Sequence, residues 1–236
     1  MRGLRRRVVE MVARTLIHPA RPDPPQTDRQ LRRRRAVVGA VALVGAVLLG
    51  ISLRVRPGDA SFYPLTLAIA LTWFAGGLLS GPLHLGYLPV RGTLRRPVLA
   101  GLAVGALAGG VFLAGGLLVR LVPPLHRAVE SVLAHAEYGS LPLIVLVTLV
   151  NGIAEEVFFR GGLYAAAGRR HAVLISTVVY GAATLAAGNP MLVFAALTLG
   201  TVLGLQRRAS GGILAPIITH CTWQMMMLFL LPPILG

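Results

Sequence analysis

The sequence predicts an all-α fold: a polytopic transmembrane helical bundle of about seven spans, amino terminus inside and carboxyl terminus outside. Three observations predict it. Of 236 residues, 55% are hydrophobic and only 13% are charged, against roughly 25% charged in soluble globular domains. The charges gather in short stretches, and the apolar runs between them approach the ~20 residues that a helix needs to cross a bilayer core. All 23 basic residues are Arg, and most of them flank those apolar runs.

Residues 1–17 read as a basic amphipathic helix or a disordered tail. Leu4, Val8, Val12 and Leu16 recur every fourth residue, with Arg5, Arg6, Arg7 and Arg14 on other faces, a pattern suited to a membrane surface. Pro19 to Gln30 holds four prolines and reads as a linker. Arg32 to Arg35 close a basic cytoplasmic segment, 1–35, and 36–236 form the transmembrane domain. The spans fall at approximately 36–53, 62–80, 97–119, 140–160, 172–187, 190–206 and 211–233. Arg91, Arg95 and Arg96, then Arg169 and Arg170, then Arg207 and Arg208 follow alternate spans and belong with the amino-terminal block on the cytoplasmic side. The opposite loops carry fewer: Arg54 and Arg56, then Arg120 and Arg127. Gly101, Gly105 and Gly109 in the third span mark a face that a second helix can approach closely.

Composition also excludes. The net charge of +15 would suit a nucleic-acid binder, but arginines set beside membrane spans orient the chain and attract anionic lipid instead. The partner this composition implies is the lipid bilayer, with no nucleic acid. One cysteine, Cys221, permits neither an intrachain disulfide nor a multi-cysteine metal site. The first long apolar run starts only at Ala36 and no small-residue cleavage site follows it, so it reads as a span and not as a signal peptide. Arginine-only usage in a chain rich in Ala, Gly and Val points to a GC-rich bacterial genome, and so to a multi-pass protein of the cell (inner) membrane.

The chemistry-bearing stretch is Asn151-Gly-Ile-Ala-Glu155-Glu156-Val-Phe-Phe-Arg160. Ionisable groups in a membrane helix are costly and either pair or function. Glu156 and Arg160, four residues apart, share a helix face and suit an ion pair. Glu155 is turned about 100° from that face and is the candidate general base, with Asn151 one turn earlier as a hydrogen-bond partner. His220 and Gln224, one turn apart in the last span, are the second polar pair. His220 lies ~13 Å into its helix, at a depth where it could share a cavity with Glu155.

Glu155, Glu156 and Arg160 resemble the Glu-Glu-x-x-x-Arg motif of the CPBP intramembrane proteases, which include the type II CAAX prenyl proteases and the bacteriocin-immunity (Abi) proteins. Gly212-Ile-Leu-Ala-Pro-Ile-Ile-Thr-His220 resembles the lead-in to that family's last motif, His-x-x-x-Asn, with Gln224 at the Asn position. Tyr180-Gly-Ala-Ala-Thr184 lies where the middle motif, Phe-x-x-x-His, belongs. The resemblance covers about 140–233 and implies a metalloprotease-like hydrolase that cuts a peptide bond close to the cytoplasmic membrane face, its substrate a membrane protein or lipidated peptide. It gives Glu155 the role of base, and His220 with Gln224 that of oxyanion donors. It also implies a divalent metal such as zinc, for which Glu155 and His220 are the only good ligands. Thr184 stands at the histidine position; its hydroxyl can position a water but cannot act as a base. His171 is too far along its helix to replace that histidine, and His84, His126 and His135 are expected in loops. The alternatives are a catalytically inactive relative that binds membrane proteins or acts as an immunity-like factor, and a transporter that uses Glu155, Glu156 and His220 as an ion path.

Overall fold

The computed structural model describes residues 13–17, 19–20, 25–90, 92–168 and 170–236. Most of the amphipathic helix expected over 1–17 lies outside these residues, as do Arg91 and Arg169; Ala13–Ile17 form a π-helical turn. Eight helices follow: α1 Asp28–Ser52, α2 Phe62–Ser80, α3 Val98–Val119, α4 Pro123–Leu133, α5 Leu141–Glu156, α6 Ala172–Leu185, α7 Pro190–Ser210 and α8 Leu214–Leu230. A π-helical stretch, Val157–Leu163, and a final α-turn, Tyr164–Ala167, continue α5. Pro232–Leu235 adds a last short helix.

Among the described residues, five helices are long and apolar enough to cross a membrane: α1, α2, α3, α5 with its continuation, and α7. Helices α6 and α8 are apolar but shorter. Large apolar side chains cover the outside; Leu99 is 81% exposed and Leu43 and Leu71 are each 68% exposed. An apolar surface this extensive is what a lipid-facing bundle presents, and what a soluble monomer avoids.

Local sequence sets most of the ends. A capping box starts α1: Thr27 Oγ1 accepts from the Gln30 amide at 3.3 Å, and Gln30 Oε1 accepts from the Thr27 amide at 2.9 Å. The helix therefore begins at Asp28 and not at 36, so the arginine block rides on it and the boundary expected after residue 35 falls inside α1. Arg34 Nε donates to the Ser80 carbonyl at 3.2 Å, and Arg35 Nε to the Ala166 carbonyl at 3.1 Å. Asn189 caps α7 through Met191 N and Leu192 N, with Pro190 at the first helical position. That helix runs on to Ser210 and stops at Gly211, whose φ of +68° suits a residue without Cβ.

Two departures from the expected all-helical plan are local. Leu88–Val90 and Thr93–Arg95 form an antiparallel two-stranded hairpin, β1–β2. His126 sits in the amphipathic helix α4, and His135 is buried in a 3₁₀ turn, its ring nitrogens 3.0 Å from the Ser131 and Val55 carbonyls.

The glycine stripe of α3 packs on α8. A Cβ on Gly105 would stand 2.8 Å from the Thr219 carbonyl oxygen, and one on Gly101 would stand 2.8 Å from Ile218 Cβ. The Thr219 hydroxyl closes this contact by donating to the Gly101 carbonyl at 2.9 Å. On the other side, α1 and α2 pack against α5 and its π-helical stretch through Val38, Ile69, Trp73, Phe158 and Phe159. Trp73 lies 4.7 Å from Phe158 and 5.0 Å from Phe159, centroid to centroid. Helices α5 and α8, which carry the acidic motif and His220, are thus held from both flanks.

Cross-links place the arginines. Arg35 meets Ala166, the Tyr87 amide donates to the Ser210 carbonyl, and the Ala20 amide to the Arg208 carbonyl. Arg34, Arg35, Arg95, Arg96 and Arg208 therefore gather at one end of the bundle. At the other end the His135 ring meets Val55 and Asn189 meets Ala128, which places Arg54, Arg56 and Arg127 together.

Candidate active site

The acidic pair occupies the last turn of α5, where the helix changes from α to π geometry. Such widenings recur at functional sites because they re-aim side chains. Glu156 points into the protein and is fully buried, as is Arg160. Arg160 Nη1 donates to Glu156 Oε1 at 3.0 Å, the expected i,i+4 ion pair, and Nη2 donates to the Gly200 carbonyl of α7 at 3.1 Å. Arg207 Nε donates to the Arg160 carbonyl at 2.9 Å. Arg207 is buried and its guanidinium lies 4.9 Å from the Tyr164 ring centroid. It is therefore a core residue of α7, not the loop arginine expected after a span ending at 206.

His220 is 2% exposed, and its Nδ1 lies 2.9 Å from the same Glu156 Oε1. A carboxylate only accepts, so Nδ1 carries a proton and Nε2 is the ring nitrogen left for the cavity. The helix that bears it starts at Leu214 and not at 211, which shortens its depth from that end to ~9 Å at 1.5 Å per residue. Glu156 thus joins the two motifs: one carboxylate oxygen holds both the arginine of the first and the histidine of the last.

Glu155 faces elsewhere and is half-buried. Its Oε2 accepts from the Tyr180 hydroxyl at 2.5 Å. The Asn151 amide, expected to reach Glu155, donates to the Val147 carbonyl at 2.9 Å. Thr184 sits one turn beyond Tyr180, and its hydroxyl donates to the Tyr180 carbonyl at 2.8 Å. Gln224 lies against Gly152, where an added Cβ would overlap its amide oxygen.

Glu155, Tyr180, Thr184, His220 and Gln224 line one cavity of about 150 Å³, walled by apolar and aromatic residues that include Trp73, Phe159, Leu199 and Trp223. A few polar side chains set in a mostly apolar lining are the usual make-up of a small-molecule or peptide site. Tyr180 is the functional candidate that sequence reasoning passed over as a mere marker of the middle motif. The available signal was its register, one turn before Thr184 and so on the same helix face.

The donor set does not fit a three-ligand catalytic zinc. Among the described residues no three His, Cys, Asp or Glu side chains converge on one point. Glu155 and His220 contribute two candidate ligands, and the hydroxyl of Thr184 is a poor substitute for a third.

No curated protein and no solved structure matches the chain. Residues 137–226, which contain Glu155, Glu156, Arg160, Tyr180, Thr184, His220 and Gln224, match the family model described as type II CAAX prenyl endopeptidase Rce1-like.

Proposed function

We propose that the protein is an intramembrane endopeptidase in which Glu155 activates a water for attack on a peptide carbonyl. The observation that carries this reading is the convergence of Glu155, Thr184, His220 and Gln224, from three helices, on one cavity. Tyr180 engages Glu155 Oε2, which leaves Oε1 to take a proton from water as the water oxygen bonds to the carbonyl carbon. The charge that develops on the carbonyl oxygen is met by the Gln224 amide and, in this scheme, by His220 as the imidazolium, whose Nδ1–H stays on Glu156 while its Nε2–H donates to the oxygen. The tetrahedral intermediate collapses as the C–N bond breaks, and the proton held by Glu155 passes to the departing nitrogen. Glu156 and Arg160 take no proton in this scheme; they hold the His220 ring in place. No metal step is invoked, because the donor set supplies too few ligands.

The same reading places the arginine-rich end of the bundle on the cytoplasmic side of a bacterial inner membrane, with α6 and α8 completing seven spans. Its substrate would be a membrane protein or lipidated peptide that enters from the bilayer. A second reading, a non-catalytic relative that binds such a segment in the cavity, is favoured by one observation: residue 184 is a threonine whose proton is engaged by the helix backbone.

The test is cleavage of a membrane-peptide library by purified protein in detergent, comparing wild type, Glu155→Gln and Thr184→His. Cleavage by wild type that Glu155→Gln abolishes supports the peptidase. A silent wild type with cleavage gained by Thr184→His supports the binding relative.

A further inference from the structure

We infer that Tyr180 is the positioning residue for Glu155, supplying from one helical turn away the hydrogen bond that the motif histidine, absent at position 184, would otherwise give. The inference rests on the reading of Glu155 as the base.

Four features carry it. The Tyr180 hydroxyl donates to Glu155 Oε2 at 2.5 Å, and no other side chain among the described residues donates to that carboxylate. Hydrogen bonds to charged acceptors are the short and strong ones. The ring cannot swing away: Phe159 lies 4.5 Å from it, centroid to centroid, and the Arg160 guanidinium sits 4.8 Å from its centroid. Arg160 is in turn fixed by Glu156 and the Gly200 carbonyl, so the hydroxyl is aimed by the same buried network that aims His220. Finally, Thr184 cannot supply the missing bond, because its own proton goes to the Tyr180 carbonyl.

The geometry makes the substitution intelligible. Residues 180 and 184 share a face of α6, about 6 Å apart along its axis, and both line the cavity. A histidine at 184 would approach Glu155 from one side; a phenol at 180, on a longer side chain, reaches it from one turn before. What the site keeps is a donor fixed against one carboxylate oxygen, so that the other is presented to water. A hydroxyl that merely satisfies a buried acceptor would share the distance but not the functional dependence, and the two are separated by rescue.

The test uses the full chain in detergent with three variants: Tyr180→Phe, Thr184→His and the double variant. Two readouts are taken, peptide hydrolysis and the infrared carboxyl band of Glu155, identified by its loss in Glu155→Gln. The expected result is that Tyr180→Phe shifts that band and lowers kcat about 10- to 100-fold, the rate equivalent of one hydrogen bond to a charged group, with KM changed less than about twofold. Adding Thr184→His to Tyr180→Phe should recover much of the loss, a coupling that independent sites would not show. An unmoved band in Tyr180→Phe overturns the inference, as does an unchanged kcat in an active enzyme or failure of Thr184→His to rescue. If wild type cleaves nothing, the peptidase reading fails by itself, and the infrared band still decides whether Tyr180 holds Glu155.

Discussion

Two adjacent glutamates in one helical turn should respond in opposite ways to the same conservative change. Glu156→Gln removes the carboxylate that faces both Arg160 and His220 through Oε1, at 3.0 and 2.9 Å. Arg160 is 0% exposed, so its charge is left in the interior without its hydrogen-bonded counter-ion. Breaking a buried pair from one side costs ~3–5 kcal/mol. The amide oxygen of Gln keeps one acceptor for Arg160, which places the loss near ~3 kcal/mol. At roughly 2–4 °C per kcal/mol for a chain of this size, Tm should fall by roughly 6–12 °C. Glu155 has a neutral phenol as its partner, so Glu155→Gln keeps an acceptor there and should shift Tm by less than about 2 °C. Loss of the base should instead lower peptide hydrolysis ~10²–10⁴-fold. Thermal unfolding in detergent can be followed through Trp73, packed on Phe158 and Phe159, and Trp223, packed near His220. A Tm for Glu156→Gln equal to that of wild type, or an equal fall for Glu155→Gln, would refute the division into a structural and a chemical carboxylate.

Other changes test other joints. Gly152→Ala places a Cβ where the Gln224 amide oxygen lies; because that atom ends a flexible side chain and alanine favours a helix by ~1 kcal/mol over glycine, Tm should hold. Hydrolysis should then fall on the order of 10²-fold if Gln224 serves the oxyanion, and circular dichroism beside a rate assay separates the two effects. Gly105→Val meets backbone, the Thr219 carbonyl oxygen at 2.8 Å and Cα at 3.1 Å, so it should force α3 from α8 and cost ~1–3 kcal/mol, read as a lowered Tm with Gly110→Val, whose Cβ position is open, as the control. A single cysteine placed at Arg96, in a Cys221→Ser background, should react with a membrane-impermeant thiol reagent in inside-out vesicles and not in right-side-out ones; the reverse pattern would invert the proposed orientation.

Much of this was legible in the chain because it rests on local or one-dimensional signals. The apolar runs marked α2 and α3 to within a residue or two, since bilayer thickness sets a length that composition reveals. The Glu156–Arg160 pair followed from i,i+4 spacing alone. Starts and ends that depend on side-chain caps were less visible: Thr27 with Gln30 draws α1 back to Asp28, so the arginines read as a flanking block lie on its first turns. Amphipathic α4 carries two prolines at its first positions and reads as a loop until its apolar side is seen against α3 and α7.

By itself the sequence determined that the chain lives in a membrane, which face of α3 another helix could approach, and which polar residues had to answer for their cost there. These follow from hydropathy, residue size and helical periodicity, all properties of neighbours in sequence. Only the tertiary structure decided the partners. It gave His220 to Glu156 across 64 residues, Tyr180 to Glu155 across 25, and Arg207 to the Arg160 carbonyl across 47. The reason is that a helix fixes the direction in which each side chain points, whereas which helix stands opposite is settled by the packing of the whole bundle, and spacing along the chain carries no record of it.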